Sequence, residues 1–167
     1  MITFDKKVMN QTHIHLLITH LPIVGTALGA FVLIHGIWKR NKGTLIAAYN
    51  VLIVSAIGAG IAYATGEGAE ETIEHLKGIS KYLIEDHEES ALVSLIALIL
   101  TGGVSLIGLF ATLKNTSQVR RMALIVLAVS LISFGLIART GYLGGQIRHS
   151  EIRTDTMSPL KQRNDND

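Results

Sequence analysis

Three stretches of this chain contain no Asp, Glu, Lys or Arg over a length that would cross a bilayer: Ile14 to Trp38 (25 residues), Thr44 to Ala64 (21) and Ala91 to Leu113 (23). A fourth, Met122 to Ala138, holds 17 residues and continues past Arg139 to Leu143. About 20 apolar residues at ~1.5 Å rise cover the hydrocarbon core, so the sequence predicts four transmembrane helices. A soluble bundle would need amphipathic stripes with polar outer faces, whereas these segments are apolar all round. The remaining composition agrees: charged residues are 17% of the 167, and the mean hydropathy is +0.40. Soluble domains usually carry about 25% charged residues. The predicted fold is all-α: a four-helix transmembrane bundle over residues 1–150, with spans near 14–38, 44–64, 91–113 and 122–143. An acidic loop follows over 66–90, and a polar tail over 151–167, expected to be disordered.

Orientation follows from Lys and Arg. The loop after span one holds Lys39, Arg40 and Lys42, and the loop after span three holds Lys114, Arg120 and Arg121. Between spans two and three lie only Lys77 and Lys81, against eight acids: Glu67, Glu70, Glu71, Glu74, Glu85, Asp86, Glu88 and Glu89. The positive-inside rule puts the two basic loops in the cytoplasm and both termini outside. Arg148, Arg153, Lys161 and Arg163 in the tail pull against that orientation. The first apolar run is too long for a cleaved signal peptide and lacks an A-x-A-like site, so span one is expected to persist. Gly66 and Gly68 punctuate the exit of span two. Glu70 to Leu76 then reads as a short acidic amphipathic helix, broken by Gly78. Ser80 can cap a further helix of about 33 residues from Lys81 through span three.

Several chemistries are excluded. With no cysteine, the chain has no disulfide, thiolate-ligated cluster, Cys nucleophile or C-x-x-C-H haem attachment. A net charge of +2 with scattered basic residues offers no nucleic-acid footprint. No Glu stands three residues before a histidine, so the di-iron E-x-x-H signature is missing. His87-Glu88-Glu89-Ser90-Ala91 lacks the second histidine of a zincin helix. No nucleophile–base pair or Walker loop is present, and electron transfer is a better expectation than catalysis.

Histidine is the informative residue. Of seven, His13, His15 and His20 lie at the outer end of span one, His75 and His87 in the acidic segment, and His149 after span four. Only His35 lies near the cytoplasmic face. Imidazoles arriving from separate parts of the chain are what a metal or haem site needs. Solvation at the interface accounts for His13 and His75, and His35 is read as a helix-packing or interfacial residue. His20, inside the apolar run beside Pro22, and His87, one turn before span three becomes apolar, are expected to make buried contacts. On an ideal helix His15 and His20 diverge by about 140°, and Pro22 removes a backbone bond to Ile18 that can kink the helix. Gly25, Gly29 and Gly36 form a small-residue stripe, read as close helix packing in preference to a flat cofactor's bed. Arg139, within the outer part of span four, has two candidate partners: a haem propionate or the acidic segment.

The segment His15-Leu-Leu-Ile-Thr-His20-Leu-Pro22 resembles the H-x4-H-[Phe/Leu]-P opening of a bacterial four-helix inner-membrane family known only as a domain of unknown function. Gly141-Tyr142-Leu143-Gly144-Gly145-Gln146-Ile147-Arg148-His149 resembles that family's closing motif, and His87 matches a histidine at the start of its third span. The resemblance covers residues 13 to 149. Because members of that family can be joined to c-type cytochrome domains, it implies respiratory or periplasmic redox chemistry.

Three functional expectations result. The first is a redox protein holding non-covalent haem b at its outer, periplasmic face. Its ligands would come from His15, His20, His87 and His149, with Arg139 or Arg148 near the propionates, and its partners would be a quinol and a c-type cytochrome. The second is a zinc or copper ion held by His13, His15, His87 and His149 with Glu88 or Glu89. The third is a cofactor-free accessory subunit. A homo-oligomer is compatible with all three.

Overall fold

The computed structural model describes residues 6–73 and 81–148, with side chains from 12 to 69 and from 81 to 147. Six helices make up these residues, and no strand occurs among them: α1 (Lys6–Ile18), α2 (His20–Lys39), α3 (Lys42–Ala64), α4 (Gly66–Ile73), α5 (Lys81–Leu113) and α6 (Val119–Arg148). The all-α expectation holds. Four helices are long and apolar enough to cross a membrane, the first combining α1's last turns with α2, as in a multi-pass membrane protein. His75, His149, the Ser80 cap and the 151–167 tail lie outside the described residues.

α1 and α2 meet at Thr19 without a break: its backbone stays helical (φ -59°, ψ -28°) and its N–H still donates to His15 O at 2.9 Å. The bond that is missing is the one Pro22 cannot give to Ile18 O, for proline has no N–H. At the far end Asn41 caps α3, its side-chain oxygen accepting from Thr44 N at 2.9 Å. Arg40 and Asn115 take left-handed backbone conformations in the two tight connections, and Lys42 Nζ donates to Asn115 Oδ1 to join those connections. The acidic helix begins at Gly66, earlier than the expected Glu70: Gly66 and Gly68 form its first turn and do not break it. α5 runs 33 residues, matching its expected length. At ~1.5 Å per residue that is about 50 Å, well beyond a hydrocarbon core of about 30 Å.

The bundle is a ring. α2 packs on α3 and α6, and α5 packs on the same two helices. The four alternate in direction, so the start of α2 and the end of α6 share one end with α1, α4 and the first turns of α5. We term this the histidine end, and the opposite one the basic end. The glycine stripe serves packing, as expected. A methyl group added at Gly29 would fall 2.6 Å from Leu52 Cδ2, and one at Gly36 2.8 Å from Leu45 Cδ2 and 3.1 Å from Leu45 N. Toward the basic end, Leu33, Leu45, Ala48, Tyr49, Leu52, Ala123 and Val126 form the main apolar cluster.

Polarity is distributed inside out. Leu17, Phe31, Trp38 and Ile132 are each more than 60% exposed, whereas Ser90, Ser94, Thr101, Ser105, Thr112, Ser130, Ser133 and Thr140 are buried. Helices in lipid gain nothing by hiding leucine from lipid, and associate through small residues and hydrogen bonds. Thr140 Oγ1 lies 2.8 Å from both Ser90 Oγ and Ser94 Oγ and donates to Ser90 O at 3.0 Å, while Thr101 Oγ1 meets Ser133 Oγ at 2.8 Å. These contacts zip α5 to α6. Ser105 Oγ, by contrast, is buried with no hydrogen-bond partner among the described residues. Thr140→Val is therefore expected to lower stability by about 1–2 kcal/mol, measured by unfolding in mixed micelles, because it strips partners from two buried hydroxyls. Ser105→Ala should change stability by less than about 0.5 kcal/mol, since no bond is lost.

Candidate functional site: a histidine pair at one end of the bundle

The phase of the first span decides which of its histidines faces the bundle. His15 lies on the side of α1 that faces the end of α3, and its Nδ1 sits 2.8 Å from Ala62 O, with Thr65 Oγ1 3.4 Å away. Nearby, Thr12 Oγ1 donates to Gly68 O at 3.2 Å, fastening α1 to α4. His87, on α5, turns toward α6, where its Nδ1 sits 3.0 Å from Thr140 O. Both rings are half-buried and stand at the histidine end of the bundle, one on the first span and one on the third.

A carbonyl oxygen only accepts. At both rings, then, Nδ1 carries the hydrogen and donates it, and the neutral imidazole has its lone pair on Nε2. Metal-ligating histidines show this arrangement, in which one nitrogen is held by a carbonyl and the other is left free to coordinate. The backbone carbonyls thus fix the tautomer and the orientation of both rings.

Glycine makes the room. A methyl group at Gly144 would fall 3.0 Å from His87 Cε1 and 3.2 Å from Nδ1, and one at Gly66 would touch His15 Cε1 at 3.7 Å. The closing glycine-rich motif therefore lets the His87 ring lie against the α6 backbone. Just beyond, Leu83, Ile84 and Ile147 form a small apolar cluster that clamps the end of α6 to the start of α5.

The other anticipated residues fall elsewhere. His20, expected in a buried contact, is exposed on the outward side of α2. Five residues on from His15 along a continuous helix, it points about 140° away from that side chain and turns from the bundle. His13 is exposed too, in keeping with the solvated reading. His35 stands at the basic end, edge-on to Trp38 with ring centroids 6.3 Å apart, and Lys39 Nζ lies 4.7 Å from the Trp38 ring. Arg139, left between two partners, lies 3.7 Å from Asp86 Oδ1 through Nη2 and 3.3 Å from Ser90 Oγ through Nη1. It thus engages the acidic segment, beside His87. Arg148 ends α6. Among the described residues, no group of three or more His, Asp or Glu side chains gathers as an ion site.

Sequence reasoning missed Thr140, whose carbonyl holds His87 and whose hydroxyl holds Ser90 and Ser94. A signal was present: the buried hydroxyls of α5 stand at 90, 94, 101, 105 and 112, a heptad spacing that marks its inward face. No family model, curated protein or solved structure matches this chain.

Proposed function

We propose that this is a membrane redox protein that holds non-covalent haem b between His15 and His87, at a periplasmic face of the bacterial inner membrane. The observation that carries this reading is the pair itself: two half-buried imidazoles from different spans, each with Nδ1 donating to a backbone carbonyl and Nε2 left as a ligand. A pair of imidazoles would be enough to hold a haem, whereas a structural zinc site takes four protein ligands. Haem b bound there would supply a one-electron carrier. The chain's own part is to orient both rings through Ala62 O and Thr140 O, and to keep Arg139 and Asp86 as a fixed charge pair beside His87. The likeness of the opening and closing motifs to a family joined to c-type cytochromes supports the same reading. Electrons would enter and leave at one end, which suits a quinol donor and a c-type cytochrome acceptor.

The test is the absorption spectrum of protein purified in detergent after expression with a haem precursor, oxidised and then reduced with dithionite. A stoichiometric Soret band with sharp reduced α and β bands is expected. A colourless preparation overturns the haem reading. Zinc or copper found in that colourless sample by elemental analysis would assign the pair to an ion.

A further inference from the structure

Asn50 is the only carboxamide or charged side chain in the charge-free stretches of spans one to three. It lies eight residues into α3, about 12 Å along the helix from Lys42, too deep for so short a side chain to reach an interface. The residue is exposed, not buried in the bundle, and its carboxamide makes no hydrogen bond among the described residues. An unpaired amide facing hydrocarbon is costly, and polar side chains in such positions join helices together.

The surroundings match that role. Ala47, Asn50, Val54, Ile57 and Ile61 are all exposed and recur every three or four residues, the spacing of a helix-pairing seam. Beside this ridge runs a groove of about 370 Å³ between α2 and α3, lined by Leu21, Val24, Leu28, Asn50 and Val54. Ridge and groove lie side by side on one surface, as a self-complementary twofold contact requires.

We infer that two copies of this chain pair through α3, the ridge of each entering the α2–α3 groove of the other, with Asn50 hydrogen-bonded to its counterpart. Copies inserted in the same orientation are related by a twofold axis along the membrane normal, so both Asn50 side chains lie at one depth. A carboxamide both donates and accepts, and is its own complement. The surface fits a second copy for that reason.

The absence of cysteine makes the test clean. Val54→Cys in an otherwise unchanged chain is expected to form a disulfide-linked dimer under a membrane-permeant oxidant. Ile132→Cys, lipid-facing on α6 across the bundle from α3, should stay monomeric. In phosphatidylcholine vesicles, energy transfer between labelled copies should report self-association, weakened about tenfold by Asn50→Val and retained by Asn50→Gln. Asn50 is lipid-facing, so neither change disturbs the fold of the monomer. Equal cross-linking at positions 54 and 132, or no self-association of the unaltered chain, overturns the inference.

Discussion

Replacing His87 by alanine is expected to abolish haem retention, and replacing His15 should do the same, while His35→Ala and His20→Ala keep the reduced α band at full height. The contrast between His15 and His20 decides most. Motif resemblance treats them as one unit, yet of the two only His15 is half-buried with its ring held by a carbonyl, whereas His20 is exposed. Loss of the spectrum in His20→Ala with retention in His15→Ala would move the site to the outward side of α2 and refute the pair. Gly144→Ala offers a subtler check that leaves both ligands in place. Its methyl would press on His87 Cε1 and Nδ1, displace the ring from Thr140 O and weaken haem binding about tenfold, a loss of roughly 1.4 kcal/mol.

The second large effect is expected at Gly36. There a side chain would meet the backbone nitrogen of Leu45 at 3.1 Å as well as its side chain, and a helix backbone cannot rotate aside. Gly36→Val should therefore prise α2 from α3 at a cost of about 3 kcal/mol, read as a lower midpoint in denaturing detergent. Gly29→Val, pressed against the Leu52 side chain, should cost about 2 kcal/mol, since a leucine can partly change rotamer. Gly135 provides the control, for nothing lies within 4 Å of the methyl it lacks. Gly135→Ala should be neutral or stabilising by up to about 1 kcal/mol through helix propensity alone. Equal losses at positions 36 and 135 would show that the α2–α3 contact does not depend on close approach.

What the sequence made legible follows physical lines. Helix ends were readable where charge interrupts an apolar run: Lys81 to Leu113 emerged at full length. Helix phase was not readable in the same way. Span one has no row of hydroxyls like that of α5 to mark which side faces the bundle, so His20 was expected inside and stands outside. The 140° divergence of His15 and His20 already meant that one helix face could not present both. Arg139 could be narrowed only to two partners, because its choice depends on how α5 lies along α6. Thr140 went unnoticed because it acts partly through a backbone carbonyl, a group every residue has.

The two histidines come from the first span and the third, and that fixes an order of events in biogenesis. When α1 and α2 leave the ribosome, His15 is present and His87 is not yet made. The paired rings cannot exist until α5 is threaded into the bilayer. Thr140 O, which orients His87, arrives later still with α6. Maturation of the site is thus the last step in assembly: a chain cut short before α5 would present His15 alone, and one cut short before α6 would carry His87 without the Thr140 carbonyl that orients it.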